Sequence, residues 1–301
     1  MDFRIGIDGG GTKTEGILLD GSGAIVARRL GPGCNPNVAG PESARRIVEG
    51  LIAELAAEAG RLSPGGIIAH THVYSAGNRS FWRETVAAFT GCGKTFSADD
   101  SHPVLELATD GRPGIVLHGG TGSFVAARAP DGGVHYAGGI GWRFGDPGSG
   151  YDLGRRAVGR ALLELQGWST PSSLTSIVRA HSGIGAAADA GTLTRHFYQH
   201  AEPNQLIAGL APALLKLAAE GDAEARRIVT ESAGELLALA LRVVTRLFPG
   251  VTPSTLAAGI SGPILTHAAL ESFWTAGCPL RVTPVAGTPI EGVRRLLARA
   301  G

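Results

Sequence analysis

Ile7-Asp8-Gly9-Gly10-Gly11-Thr12-Lys13-Thr14 stands where one strand pattern, Phe3 to Asp8, gives way directly to another, Glu15 to Leu19. Glycines in such a turn let the backbone approach a ligand closely and offer N–H groups as donors to a phosphate. An acidic side chain just before them can hold a hydrated Mg²⁺. A tight hairpin turn would need only positive φ, and three glycines with an acid exceed that need. Ala24 to Arg29 continues the meander after an Asp20-Gly21-Ser22-Gly23 turn.

About a hundred residues later the plan recurs. Gly114 to Leu117 is apolar, Gly119-Gly120-Thr121-Gly122-Ser123 makes a second glycine turn, Ser123 to Arg128 is strand-like, and Asp131-Gly132-Gly133 turns again. His118 stands where Asp8 stood, so only the first copy brings a metal ligand. A repeat this long is an internal duplication of a whole domain rather than a solenoid unit. Two phosphate loops facing each other across a cleft would make one nucleotide site.

Between the meanders, Ala44, Ile47, Val48, Leu51, Ile52 and Leu55 follow helical spacing within Pro41 to Gly60. Ile67–Tyr74 reads as a strand, Ser80–Phe89 as a helix, Thr95–Ala98 as a strand and Pro103–Thr109 as a helix. Such alternation implies an α/β chain with parallel strands. The later part predicts helices at 150–165, 172–181, 206–220, 223–247 and 289–299. The expected domains are 1–113 and 114–301, with the last helix packing back on the first.

The sequence has 301 residues, 44% hydrophobic and 18% charged, which describes a chain with a sizeable core and room for two domains. Its 27 basic and 26 acidic residues leave a net charge of +1, with no electrostatic footprint for nucleic acid or an anionic membrane. Cys34, Cys92 and Cys278 are odd in number and far apart, which argues against a disulfide framework. With no secretory or spanning stretch, the expected location is the cytoplasm and the expected partners are small molecules.

Gly91-Cys92-Gly93-Lys94-Thr95 ends like a Walker A loop, but Ala88 stands where its first glycine belongs and the segment leads into a strand rather than a helix. His70 with His72, and His196 with His200, lack a third metal ligand.

With these segments in order, the chain resembles the N-acetylglucosamine kinase and BadF/BadG/BcrA/BcrD-type ATPase family of the sugar kinase, Hsp70 and actin superfamily. The resemblance is carried by IDGGGTKTEG (7–16), ADDSHPVLELATDG (98–111), HGGTGSFV (118–125), GGIGWRFGDPGSGYDLGRRA (138–157) and AAGISGPI (257–264). It implies a two-domain, ribonuclease H-like, actin-like ATPase fold with an interdomain cleft, using ATP and Mg²⁺.

By that resemblance Asp8 holds the metal. Gly9, Gly10, Gly11, Thr12 and Lys13, together with Gly120, Thr121, Gly122 and Ser123, hold the phosphates, although a solvated hairpin lysine is an alternative reading of Lys13. Gly259 and Ser261 match the adenosine motif, with Gly259 in a glycine turn and Gly287 in a weaker one. Asp100 matches the general base; its alternative is a helix cap, for which Asp99, Asp100 and Ser101 all qualify. Asn35, Ser75, Gly77, Gly139, Ile140 and Asp146 match sugar ligands, against plain turn roles for Asn35-Pro36 and Asp146-Pro147-Gly148.

Pro147 replaces a glutamate usual in the family and Ile140 a frequent tryptophan, so the sugar pocket is altered. The implied activity is direct in-line phosphorylation of an amino sugar by ATP, N-acetylglucosamine to its 6-phosphate first, with glucosamine, another hexosamine or muramic acid as alternatives, and a homodimeric assembly. An ATP-driven activator of a redox enzyme would need paired cysteines, and a sugar-sensing regulator would need a DNA-binding module.

Overall fold

The opening strand, glycine turn and hairpin begin a five-stranded sheet in the structure, a computed structural model that describes residues 1–185 and 187–299. β1 (Asp2–Gly9), β2 (Lys13–Leu19) and β3 (Ile25–Pro32) form an antiparallel meander. After the short helix α1 (Pro36–Ala39) and the long α2 (Pro41–Leu62), β4 (Ile67–Ser75) lies parallel to β1. Then come α3 (Arg79–Ala87), β5 (Lys94–Ala98), parallel to β4, and α4 (Ser101–Thr109). The sheet order is β3-β2-β1-β4-β5.

Alternation decides which face each residue of β1 covers. Phe3, Ile5 and Ile7 are fully buried in one cluster with Val48, Leu51, Ile52 and Leu55, the apolar stripe of α2. A central strand buried on both faces suits a sheet with parallel neighbours.

The second sheet repeats the first. β6 (Gly114–Gly119), β7 (Ser123–Arg128) and β8 (Val134–Gly138) are again an antiparallel meander. Six helices follow: α5 (Gly150–Leu165), α6 (Ser173–Ser182), α7 (Ala190–Gln199), α8 (Pro203–Ala208), α9 (Ala211–Ala219) and α10 (Ala223–Leu247). β9 (Ala257–Ser261) pairs parallel to β6, and after α11 (Glu271–Thr275) the short β10 (Val282–Pro284) pairs parallel to β9. The order β10-β9-β6-β7-β8 is that of the first sheet read from the other edge, so the duplication read in the sequence is a duplication of topology.

Helix 206–220 is in fact two helices. Pro212 lacks an N–H and cannot continue a helix from Ala208, so it starts α9 instead. Short, weakly patterned β8, β9 and β10 and the helix α7 carry no clear signal in the sequence, because their assignment depends on which neighbours they meet.

The last helix, α12 (Pro289–Arg299), belongs to the first unit, which comprises Met1–Gly111 and the chain from Ala286; the second is Arg112–Val285. Gly6 makes this return possible, since a Cβ there would collide with Val293 and crowd Leu297 at 2.6 Å. Gly292 likewise lets α12 lie on the backbone of Pro103 in α4. Ile290, Val293 and Leu297 are buried with Ile17, Leu19 and Tyr74 on the sheet face opposite α2. Arg299 reaches the buried Glu106 of α4 at 2.7 Å. Among the described residues no helix is long and apolar enough to cross a membrane.

Candidate active site

In the first unit, β1 stops at Gly9 and β2 starts at Lys13, so the glycines form the connecting loop. Gly10 N–H donates to Lys13 O (2.9 Å), closing it, while Cys34 N–H donates to Gly10 O (3.0 Å) and Ala76 N–H to Gly9 O (2.8 Å). Thr14 Oγ1 donates to Pro32 O (2.7 Å), tying the loop base to the end of β3. The carbonyls are thus held from beneath, and Gly11 and Thr12 stand exposed above.

Two glycines are required by close approach rather than by φ. A Cβ on Gly9 would stand 2.5 Å from both Cys34 Sγ and Ser75 Oγ. One on Gly33 would collide with Gly11 O and stand 2.8 Å from Thr12 N, so the chain after β3 lies flat against the loop. Sequence reading passes over Gly33, since nothing local marks a contact twenty residues away in the chain.

The parallel register of β1 and β4 sets Asp8 beside Tyr74 and Gly9 beside Ser75. Past β4 the chain turns at Gly77 (φ +101°), where a Cβ would stand 2.7 Å from Asn35 Oδ1. Asn35 caps α1, its Oδ1 accepting from Asn37 N–H (3.0 Å). Asn35, Ser75 and Gly77 therefore meet beside the glycine loop.

Asp100 occupies the N-cap position of α4, yet its side chain makes no capping hydrogen bond. Its neighbour Asp99 is 7% exposed and accepts from Arg79 Nε at 2.6 Å, with Arg79 Nη2 on its other oxygen. Burial raises the Asp100 pKa to about 7, with the Asp99 charge adding to it and the Asp100 and Ser101 backbone N–H groups opposing. Asp8 is raised to about 7 as well, by burial first and then by Asp100 and Glu15, against Lys13. The two carboxyls therefore share one electrostatic environment in the first unit. Lys13 itself is largely exposed and pairs with Glu15 at 3.7 Å.

The raised Asp8 pKa fixes a sign. Between an unfolded value near 3.8 and a folded value near 7, the folded chain holds the extra proton, so Asp8 costs increasing stability as pH rises through that window. Asp8→Asn should match the wild-type melting temperature near pH 4 and exceed it increasingly towards pH 8, by roughly 2–4 °C per kcal/mol. A melting-temperature difference that stays flat with pH would disprove this. A half-buried carboxylate with so little positive charge around it suits a divalent cation, and Asp8 fits that role; among the described residues there is no cluster of three ligating side chains to hold a metal without help from a bound ligand.

The second unit builds a matching loop. Gly120 N–H donates to Gly122 O (2.8 Å), Gly150 N–H at the start of α5 donates to Gly120 O (2.7 Å), and Ile264 N–H donates to Gly119 O (3.1 Å). Ser123 Oγ donates to Pro147 O (2.7 Å), so the residue replacing the usual glutamate braces the loop through its backbone. Asp146 is 5% exposed, accepts from Gly141 N–H (3.2 Å), and has its pKa raised by burial; its Oδ2 lies 3.2 Å from where a Gly122 Cβ would be. Ser149 caps α5, and Ser232 of α10 donates to Asp152 (2.7 Å) while accepting from Gly148 N–H (2.8 Å).

His118, where the first copy has Asp8, meets Ser261 Oγ at 3.1 Å and stacks on Phe124 with ring centroids 4.8 Å apart. Burial lowers its pKa to about 4, so it is neutral at pH 7. It links the second glycine loop to the end of β9. Gly139 (φ +60°) and the exposed Ile140 lie in the segment after β8, and Thr121 and Gly122 are also exposed.

Gly259 is not in a turn: it is a buried residue of β9, registered with Val116 and Thr283, and the turn comes at Gly262 (φ +85°), packed against Gly119 O. Gly287 (φ +94°) does sit in a turn before α12. The Walker-like segment leads into β5, with Gly91 and Gly93 at positive φ.

Two sheets of identical order, each with a glycine loop after its first strand, define the two-domain actin-like ATPase fold. The chain belongs to the BadF/BadG/BcrA/BcrD ATPase family, which it matches over residues 5–259. It is 27% identical over 242 residues to an N-acetylmuramic acid/N-acetylglucosamine kinase of Clostridium acetobutylicum, covering 78% of this chain and 77% of that one. An N-acetyl-D-glucosamine kinase of Dictyostelium discoideum is 26% identical over 258 residues, 82% and 80% of the two chains. A Chromobacterium violaceum protein described as a candidate N-acetylglucosamine kinase superposes with a TM-score of 0.79 at 27% identity, over 98% of each chain.

Proposed function

We propose that the chain is an amino sugar kinase that transfers the γ-phosphoryl group of ATP to a hydroxyl of N-acetylglucosamine, the primary hydroxyl that becomes the 6-phosphate. The observation that carries the reading is Asp100: a half-buried carboxyl with a raised pKa at a helix cap position where it makes no side-chain capping bond, in the same field as Asp8 at the glycine loop. The names of the two curated relatives support the substrate class.

In this reading Asp100 accepts the proton of the attacking hydroxyl as the hydroxyl oxygen bonds to the γ-phosphorus and the bond from that phosphorus to the β,γ-bridging oxygen breaks, so that ADP leaves; a pKa raised to about 7 suits a base working near neutrality. Its proton is then returned to solvent. Asn35, Ser75 and Gly77, with Gly139, Ile140 and Asp146 of the second unit, hold the sugar. Gly9–Lys13 and Gly120–Ser123 hold the phosphates, and Ser261 lies towards the nucleoside. Mg²⁺, held through Asp8, would neutralise phosphate charge. Phosphoryl transfer asks the protein mainly for positioning and electrostatics, which these rigid loops supply.

The test is ADP release with N-acetylglucosamine, glucosamine, N-acetylmannosamine, N-acetylmuramic acid and glucose. N-Acetylglucosamine is expected to stimulate release most strongly. Stimulation by N-acetylmuramic acid alone would move the substrate to the acidic sugar, and no stimulation by any member would remove the kinase reading.

A further inference from the structure

We infer that Arg79 is a positioning residue, which clamps the loop after β4 to the loop after β5 through Asp99 and so fixes Asp100 relative to the residues at Ser75 and Gly77. The inference rests on the reading of Asp100 as the base. Arg79 is the first residue of α3, two places beyond Gly77, and α3 is anchored there because Asn78 Oδ1 accepts from Phe81 N–H at 3.0 Å. Trp82, buried in the core at 2% exposure, fastens the same turn by donating from its indole nitrogen to Ala76 O at 2.9 Å. The stem from which Arg79 reaches out is therefore rigid.

Asp99 sits at the opposite side of this link, one residue past the end of β5 and one before Asp100. It takes both Nε and Nη2 of Arg79, a bidentate fork that fixes direction as well as distance. The two loops start from β4 and β5, which are registered neighbours with Tyr74 opposite Ala98. Beyond that pair the strands separate into α3 and α4, and the Arg79–Asp99 clamp spans the point of divergence. An error of about 1 Å in the position of a catalytic group can cost about a hundredfold in rate. Asp100 makes no side-chain capping bond to α4, and the backbone that carries it is the one Asp99 holds. Neither residue belongs to a glycine loop, and the clamp leaves the phosphate-binding backbone untouched.

The experiment measures kcat, KM for ATP and KM for N-acetylglucosamine in Arg79→Ala, Arg79→Lys, Asp99→Asn and the double variant Arg79→Ala/Asp99→Asn, each with a melting curve. Arg79→Ala is expected to lower kcat about 10–100-fold with KM for ATP unchanged. Arg79→Lys, which keeps charge but not the fork, should recover only part of the loss. The double variant should lose less than the product of the two single losses, because the groups act as one unit.

An unchanged kcat in Arg79→Ala overturns the inference, as do losses that multiply or a loss confined to KM for ATP. If Arg79→Ala does not fold, Arg79→Gln carries the same test. Asp100→Asn, run alongside, separates the two levels. If it stops turnover while Arg79→Ala does not slow it, the base stands and the clamp falls; if Asp100→Asn turns over normally, the base falls and the clamp with it.

Discussion

Replacing Asp100 with Asn is expected to lower turnover about a thousandfold, within the usual range for a positioned general base, while ATP binding changes little. The amide keeps the volume of the carboxyl and cannot accept the proton. Because the Asp100 side chain makes no capping hydrogen bond and desolvation raises its pKa, the substitution removes a group that is costly to ionise and should not destabilise the fold. The measurement is single-turnover phosphorylation beside titration with a fluorescent ATP analogue. Turnover within tenfold of wild type would show that the carboxyl is not the base.

Gly33→Val should have the second large effect, on the nucleotide rather than the chemistry. The added side chain meets backbone, not the far end of a flexible side chain: Gly11 O, and Thr12 N at 2.8 Å. Either the glycine loop or the chain leading to Asn35 must move, and overpacking of this kind costs about 1–3 kcal/mol. If the strain is relieved by displacing Gly11 and Thr12, ATP affinity should fall roughly 10–100-fold, since each 1.4 kcal/mol is a factor of ten. A melting curve reads how much is taken up by stability instead. A valine variant with wild-type affinity and wild-type melting temperature would show that the close packing of residue 33 on the loop is not needed.

Much of the architecture was legible in one dimension because it is governed by local rules. The meander around Gly9–Thr12, the helix from Pro41, the helix from Ala223 and its end at Leu247, and the recurrence at Gly114–Arg128 all follow from periodicity and from glycine and proline punctuation. Within 206–220 the apolar spacing continues across the break at Pro212, so periodicity alone joins two helices that proline's missing N–H separates. Gly259 looks like a turn glycine in one dimension because a short Ala-Ala-Gly-Ile-Ser strand has no pattern until β6 and β10 flank it.

The residues proposed to carry the chemistry stand out in the sequence as well: Asp8 before its glycines, Asp100 in an acidic pair, Asn35 and Asp146 at prolines. What holds them does not. Gly33 on Gly11, Arg79 on Asp99, His118 on Ser261 and Ser232 on Asp152 join residues that are 20 to 143 positions apart, and no spacing rule reaches that far.

Strand and turn formation depend on side chains a few residues apart, so two α/β repeats, each with a glycine loop after its first strand, are readable from the chain alone. Packing alone settled how α12 fits, in the space left at Gly6 and Gly292, and that Asp100 lies within the electrostatic reach of Asp8. Packing and electrostatics act through space, and distance in space between Asp8 and Asp100 is set by the pairing of β1, β4 and β5, not by the ninety-two positions between them in the chain.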